Sequence, residues 1–134
     1  MDTILVDTSV WVNYFKDIDT SANRFLTKNL TSVIIATCPA IVQEILQGIG
    51  SDADEQIVKL YFDNLTRLIE DPYLIATEAN DLYRKLRKKG ITIRKPNDCL
   101  IAIYAIKNGI ALLHDDRDFK LIAENSSLKT VRFN

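Results

Sequence analysis

Short apolar runs alternate with amphipathic segments along this chain of 134 residues. The runs "TILV", "SVIIAT" and the "ALL" of "IALLHDD" are rich in aliphatic residues, which is typical of buried strands. Between them, apolar residues recur every three or four positions, which predicts helices. Strands that alternate with helices favour a parallel sheet covered on both faces. We therefore predict a single-domain three-layer α/β/α fold over residues 1–134, with a central, mainly parallel sheet.

The boundaries of the predicted elements follow from helix-start and helix-stop residues. Pro39 suits the first turn of a helix, the glycines at 48 and 50 end it, and Gly90 stops a later one. The predicted helices lie in VWVNYF, TSANRFLTKNL, AIVQEILQGI, DADEQIVKLYFDNLTRL, PYLIATEANDLYRKLRKKG, KPNDCLIAIYAIKNG and RDFKLIAEN, and a last strand is predicted at KTVRF. The helix in KPNDCLIAIYAIKNG is apolar nearly all round, so we expect it to be buried.

The composition is that of an ordinary globular protein, with 47% hydrophobic and 26% charged residues. No apolar run is long enough to span a bilayer, and the start is acidic rather than basic, unlike a secretory signal. We therefore expect a cytoplasmic protein without membrane association. Cys38 and Cys99 form no C-x-x-C pair and only His114 could assist them, so buried thiols are a better interpretation than a zinc site.

Four of the 18 acidic residues lie where a charge is unexpected: Asp7, Glu44, Asp98 and Asp116. Asp7 and Asp116 follow predicted strands, and in a parallel sheet the carboxyl ends of strands form the edge where ligands bind. Asp98 opens the most hydrophobic helix. Taken singly, each acid has a simpler interpretation, as a solvated residue or as a helix cap that contributes about 1 kcal/mol.

Taken together, four converging carboxylates require a counter-charge, and no cation near them in the sequence is expected to neutralise them. Mutual repulsion would raise their pKa values unless a hard divalent cation were bound. Mg²⁺ and Mn²⁺ prefer such oxygen ligands, and Thr8 or Ser9 could orient Asp7 or bind a ligand oxygen. Because such ions activate water and stabilise charge on a phosphoryl oxygen, phosphodiester hydrolysis is the predicted reaction class.

The same residues give the chain its resemblance to a known family. The blocks "VDTSVWVNYF", "IVQEILQG", "KPNDCLIAIYAIKNG" and "LLHDDRDF" occur in this order over nearly the full length. In this respect the sequence resembles the PIN-domain family of metal-dependent ribonucleases, and within it the VapC-type toxins of bacterial toxin–antitoxin pairs.

The resemblance implies specific roles for individual residues. It implies catalytic roles for Asp7, Glu44, Asp98 and Asp116, with Asp7, Asp98 and Asp116 as ligands of Mg²⁺ or Mn²⁺ and Asp118 as an outer residue that orients a ligand. The spacing in "HDDRD" leaves Asp115 open as the fourth acid, although Asp116-x-Asp118-Phe119 is the better match. The resemblance further implies a homodimer that cleaves single-stranded or looped RNA, such as tRNA or rRNA, and that a small antitoxin protein blocks.

A basic stretch, "RKLRKKGITIRK", precedes Asp98 and admits two interpretations. Its cations could form a rim that binds RNA phosphates, or they could be the wet face of a helix whose C-terminus favours positive charge. The two are compatible. The cations are Arg84, Lys85, Arg87, Lys88, Lys89, Arg94 and Lys95.

Other functions are compatible with a parallel sheet that gathers acids. A catalytically inactive PIN-like module that binds RNA or protein is the main alternative, and it would show no Mn²⁺-dependent change in stability. A receiver-like signalling domain requires an acid at the end of a mid-chain strand, whereas Glu44 falls within a predicted helix. A phosphatase of the haloacid dehalogenase type requires Asp-x-Asp after the first strand, and Ser9 occupies the second position.

Overall fold

The computed structural model describes residues 1–133, which form four strands and seven helices. The elements in chain order are β1 (Thr3–Val6), α1 (Thr8–Phe15), α2 (Ser21–Asn29), β2 (Ile34–Thr37), α3 (Pro39–Gln47), α4 (Asp52–Asp63), β3 (Thr66–Arg67), α5 (Pro72–Lys88), α6 (Pro96–Asn108), β4 (Ala111–Leu113) and α7 (Arg117–Glu124). Across this range, no helix combines the length and apolar character needed to cross a membrane.

The four strands form one parallel sheet in the order β3-β2-β1-β4, which confirms the predicted α/β class. The chain steps from β1 to β2 to β3 in one direction and then returns past β1 to add β4. Right-handed crossovers therefore place α1 to α4 on one face and α5 and α6 on the other. The helix contacts agree, because α1 packs against α2 and α3 while α5 packs against α6.

The order in which the chain adds parallel strands to the sheet reverses between β1 and β4. This reversal creates a crevice at the carboxyl ends of these two strands. Val6 pairs with Leu113 in the sheet, and the Asp7 backbone N–H donates to the Leu113 carbonyl at 2.9 Å. The residues after β1 and those after β4 are thereby brought side by side. Ligand-binding side chains are expected at this point of a parallel sheet.

The core is built from the sheet, the inner faces of the helices and the whole middle of α6. Residues Cys99 and Ile101 to Ala105 are buried, as the all-round apolar pattern predicts. Trp11 is fully buried, with ring centroids 5.6 Å from Phe15 and 5.2 Å from Phe62, so its role is packing. Burial raises the pKa of the free Cys38 thiol to about 12 and that of Cys99 to about 11.

Two predicted elements differ from those observed. The helix predicted over 52–68 ends at Asp63, because Asn64 caps it and its side-chain amide donates to the Leu60 carbonyl at 2.8 Å. Thr66 and Arg67 then pair with β2 as an edge strand. The strand predicted at KTVRF is wrong, since this segment forms only an isolated bridge between Thr130 and Leu112 with two backbone hydrogen bonds.

Candidate metal-binding active site

A cavity of about 190 Å³ opens at the crevice between β1 and β4. The four acids predicted to be catalytic all contribute to it. Its lining residues are Asp7, Thr8, Ser9, Val12, Glu44, Lys95, Asp98 and Asp116. Residues from four separate parts of the sequence thus converge at the edge of the sheet.

Asp7 is both a helix cap and a wall of the cavity. Its Oδ2 accepts hydrogen bonds from the backbone N–H of Ser9 at 3.0 Å and from the Ser9 hydroxyl at 2.7 Å. The Ser9 hydroxyl in turn accepts from the Asp115 backbone N–H at 3.0 Å, which ties the end of β1 to the segment after β4. Burial raises the pKa of Asp7, against the lowering effect of the Ser9 bonds. Ser9 therefore holds this carboxylate in one orientation within the fold.

Glu44 reaches the cavity from α3 and is held by Thr8. The Thr8 hydroxyl donates to Glu44 Oε1 at 2.9 Å, so Thr8 orients Glu44 rather than Asp7. The Glu44 side chain is half-buried, and burial is the main reason why its pKa is raised. Because this bond occupies one carboxylate oxygen, the other oxygen is free to contact water or a ligand.

Asp98 is the least satisfied acid of the cavity. It lies in the first turn of α6 and is not its cap, which is Lys95. The residue is only 3% exposed, and within residues 1–133 its buried Oδ2 has no hydrogen-bond partner. Burial, and next the charges of Asp7 and Asp116, raise the pKa of Asp98 to about 7. A bound cation would satisfy both the orphaned oxygen and the charge.

The structure distinguishes the two acids that the sequence left open as the fourth. Asp116 lines the cavity and caps α7, where its Oδ1 accepts from the Asp118 backbone N–H at 2.9 Å. Asp115 is exposed and contributes its backbone N–H to Ser9. The geometry therefore supports Asp116.

Two cations contact the acids, so the expectation that no cation lies near them is wrong. Arg94 Nε lies 3.2 Å from Asp118 Oδ2, and Lys95 Nζ lies 3.9 Å from Asp116 Oδ2. Both lie in the segment before α6, a few residues ahead of Asp98, and Lys95 lines the cavity. Their compensation is partial, since the neighbouring carboxylates still contribute to the raised pKa of Asp98.

The donor set fits a hard divalent cation. Asp98, Asp116 and Asp118 each offer a carboxylate oxygen, and these oxygens lie within 4.8 Å of one another. Asp7 borders the same cavity. An all-oxygen donor set is suited to Mg²⁺ or Mn²⁺ rather than to zinc, which favours nitrogen and sulfur ligands. The orphaned Asp98 Oδ2 is an independent sign that a ligand belongs there.

The other five cations of the basic stretch lie outside this cavity. They are exposed at the C-terminal end of α5 or just after it, while Leu82 and Leu86 of the same helix are buried. The wet-face interpretation is thus correct, and it leaves RNA binding by this surface as a prediction. None of the five pairs with an acid in the part of the chain that the structure describes: Arg84, Lys85, Arg87, Lys88 and Lys89.

Sequence reasoning named Arg94 and Lys95 as candidate RNA-binding residues, but it missed the Thr8–Glu44 bond and the contacts of these two cations with Asp118 and Asp116. The Thr8–Glu44 pair joins residues 36 apart, and no local pattern encodes it. For Lys95 a signal exists, since a cation three residues before an acid at a helix start is close enough to share its site.

Comparison with known sequences identifies relatives over nearly the whole chain. Residues 4–125 match the PIN domain family. The VapC ribonuclease Mb1587 of Mycobacterium bovis and ribonuclease VapC11 of Mycobacterium tuberculosis are each 36% identical over 134 residues, with 97% of this chain and 98% of each relative covered.

Comparison with solved structures identifies the same fold. The VapBC2 complex of Rickettsia felis, solved with a promoter DNA fragment, matches with a TM-score of 0.75 and 20% identity, covering 98% of this chain and 99% of the other. VapC20 of Mycobacterium tuberculosis, described as a toxin that cleaves the sarcin-ricin loop, matches with a TM-score of 0.65 and 16% identity, covering 87% and 92%. At these identities the likeness shows the fold alone.

Proposed function

Because this chain belongs to the PIN-domain family, we propose that it is a metal-dependent endoribonuclease of the VapC type, the toxin of a toxin–antitoxin pair. The observation that carries the proposal is the convergence of Asp7, Glu44, Asp98 and Asp116 on one cavity, in a chain whose relatives are named ribonucleases. The domain is a single PIN-like unit over residues 1–134, and it works in the cytoplasm, where its RNA substrates are.

The acids divide the work of the site. Asp7, Asp98 and Asp116 hold the cation. Support comes from the nearby carboxylate oxygens of Asp98 and Asp116, from the position of Asp7 on the same cavity and from the orphaned Asp98 oxygen. When bound, Mg²⁺ or Mn²⁺ supplies positive charge at the phosphoryl oxygen and lowers the pKa of water. Glu44, fixed by Thr8, uses its free carboxylate oxygen to orient the attacking water. Lys95 Nζ provides a positive charge on the cavity wall, where the RNA phosphate must approach.

The substrate is single-stranded or looped RNA, with tRNA and rRNA as the candidates that the family suggests. Seven of the eight residues that line the cavity are polar or charged, which suits contact with the phosphate backbone of an accessible strand. The products are a 5′-phosphate and a 3′-hydroxyl. The five exposed cations at the end of α5 and just after it form a surface that attracts the RNA backbone.

The partner is a small antitoxin protein, and the chain forms a homodimer. Support for the antitoxin comes from fold neighbours that are named VapBC, among them the DNA-bound VapBC of Salmonella typhimurium. The homodimer is the expectation that the family resemblance carries. An antitoxin that covers the cavity would block access of RNA to the acids.

The test is cleavage of RNA by the purified full chain after treatment with EDTA. We expect cleavage to return with Mn²⁺ or Mg²⁺, and the Asp7→Asn variant to be inactive while keeping the parental circular dichroism spectrum. Sequencing of RNA 5′ ends after brief expression in cells would identify the target. Cleavage that persists at the parental rate in the variant would exclude the assigned site. Binding of RNA without cleavage in any divalent cation would favour the inactive module instead.

A further inference from the structure

Arg94 makes the closest contact between a cation and the acids of the site. Its backbone N–H and its Nε both donate to one oxygen, Asp118 Oδ2, at 3.1 Å and 3.2 Å. Two donors from one residue on one acceptor fix the side chain as well as the segment that carries it. The Arg94 guanidinium is therefore held in place before any ligand arrives.

Asp118 is buried behind this contact. It is 3% exposed, and its backbone N–H donates to Asp116 Oδ1 at 2.9 Å. Asp118 thus links three parts of the site, namely the start of α7, the carboxylate of Asp116 and the segment that carries Arg94. Asp118 is therefore placed to position the side chains of Arg94 and Asp116.

The two terminal nitrogens of the Arg94 guanidinium are held less tightly than its Nε. The Arg94 side chain is 68% exposed, and Nη2 lies 3.6 Å from Asp116 Oδ1, which is longer than a hydrogen bond. Its terminal N–H groups have no hydrogen-bond partner within residues 1–133. A fixed guanidinium with free donors beside an acidic cavity is suited to a phosphate, which it can bind through two parallel hydrogen bonds.

We propose that Arg94 binds a phosphate of the RNA backbone at the mouth of the cavity, and that Asp118 positions Arg94 rather than binding the cation. This inference rests on the proposed ribonuclease function and adds to it a residue that contacts the substrate. A polyanion approaching several carboxylates is repelled, and a cation anchored at the rim offsets that repulsion. Lys95 is less well placed for this role, since it is held only by the 3.9 Å contact with Asp116.

A competing role for Asp118 is that of metal ligand, since its carboxylate lies within 4.8 Å of those of Asp98 and Asp116. However, Oδ2 already accepts two hydrogen bonds, one of them from a guanidinium. A divalent cation bound to Asp118 would be close to that positive charge and repelled by it. Asp98 has no such competitor, because its Oδ2 is unpaired in the described range.

The first test measures RNA binding, so that it does not depend on cleavage. All variants are made in the Asp7→Asn background, and the probe is a fluorescein-labelled single-stranded RNA of mixed sequence, followed by anisotropy in Mg²⁺. We expect Arg94→Gln to weaken binding about tenfold and to reduce the salt slope of log K by about 0.7, the value for one lost phosphate contact. Arg94→Lys should fall between, because it keeps the charge and loses the fork.

The matched control is Arg24→Gln, which removes another exposed arginine from an ion pair with an aspartate outside the cavity. It should bind RNA within twofold of the background. Parental affinity and salt slope in Arg94→Gln, or equal losses in both variants, would overturn the proposal while leaving the ribonuclease function intact. Absence of cleavage by the wild-type chain is a separate result that tests the proposed function alone.

The second test separates the two roles of Asp118 through metal binding. Thermal unfolding is followed with and without Mn²⁺ for the parent, Asp118→Asn and Asp98→Asn. We expect Asp118→Asn to keep most of the Mn²⁺-induced shift and Asp98→Asn to lose it. In RNA binding, Asp118→Asn and Arg94→Gln should be non-additive, because one acts through the other. Loss of the Mn²⁺ shift in Asp118→Asn would assign it as a ligand; should that variant not fold, the Arg94 variants still decide the phosphate contact.

Discussion

Helix α3 separates two cavities of opposite character. On one side Glu44 faces the acid cavity of about 190 Å³, and on the other Val42 and Leu46 line an apolar groove of about 500 Å³. The groove is the larger, yet its charged groups lie on its rim, where Asp63 pairs with Arg67 at 2.6 Å. The difference teaches that size alone does not mark a catalytic site. Buried and poorly satisfied carboxylates do, because keeping them ionised has a cost that a ligand can relieve.

The largest expected difference between the acid cavity and the groove is in RNA cleavage, when one aspartate on each side is replaced by asparagine. Asp98→Asn removes a negatively charged oxygen ligand. We expect the rate of RNA cleavage to fall roughly 100- to 1,000-fold, which is the usual loss when a group that stabilises charge in a transition state is removed. Asp63→Asn on the groove rim should leave the cleavage rate within twofold of the parent, because Asp63 is exposed and, within residues 1–133, forms an ion pair only with Arg67. The measurement is the initial rate of RNA cleavage in saturating Mn²⁺. Equal losses of rate in the two variants would show that the acid cavity is not the catalytic site.

The second difference is in stability as a function of pH. The folded chain raises the pKa of Asp98 from 3.8 to about 7, so the unfolded chain loses this proton first as pH rises. In EDTA the free energy of unfolding should therefore fall between about pH 4 and pH 7, by at most about 4 kcal/mol from this group. His114 acts in the opposite sense below its ordinary pKa of 6.5, because burial lowers its pKa.

Asp98→Asn isolates the contribution of that carboxyl. Urea unfolding across this pH range should give a flatter curve for the variant than for the parent, and a more stable protein at neutral pH. The Asp63→Asn control should follow the parental curve. Parallel curves for the parent and Asp98→Asn would mean that Asp98 is not the group that titrates.

A third difference concerns the response to metal. Mn²⁺ at 100 times its Kd should stabilise the parent by about 2.7 kcal/mol, measured as a rise in Tm. The rise should be larger at pH 7.5 than at pH 5.5, because the carboxylates must lose protons to bind the ion. A chain with changes only in the groove, such as Val42→Ala, should respond like the parent even if it starts less stable. A Tm that Mn²⁺ leaves unchanged in the parent would exclude a metal site.

The comparison also shows what the sequence could and could not reveal. Asp7 and Asp116 were predictable, because each follows an apolar strand and parallel strands end at one edge. The four-stranded sheet was largely predictable, although β3 was not, since two residues after a capped helix carry no periodic signal. The apolar groove was not predicted, because two of its lining residues, Thr37 and Leu68, are brought together by the pairing of β2 with β3.

Within the site, side-chain partners were the least predictable feature. Asp118 was expected to orient a ligand, but no local pattern indicates that Arg94 is its partner, because the two residues are 24 positions apart. The choice of Asp116 over Asp115 also required the structure. Which of the two neighbours faces the cavity depends on which side chain caps α7, and that is Asp116.

A smaller effect is expected from the hydroxyl that holds Glu44. Thr8→Val keeps the shape of the side chain and removes its 2.9 Å hydrogen bond to Glu44 Oε1. Hydrogen bonds to charged groups contribute about 1.5–3 kcal/mol, so cleavage should fall roughly 10- to 150-fold. Thr8→Ser keeps the hydroxyl and should restore most of the rate. A fully active Thr8→Val would mean that Glu44 needs no positioning.

The smallest expected effect comes from the same threonine-to-valine change at Thr37, which lines the apolar groove. Thr37 is 1% exposed, and its hydroxyl has no hydrogen-bond partner within residues 1–133. Because an unpaired buried hydroxyl is costly, Thr37→Val should leave cleavage unchanged and raise the free energy of urea unfolding by up to about 1 kcal/mol. A loss of stability instead would mean that the hydroxyl bonds to water inside the groove. We thus expect one substitution at two threonines to have different consequences, because the Thr8 hydroxyl holds Glu44 and the Thr37 hydroxyl has no hydrogen-bond partner within residues 1–133.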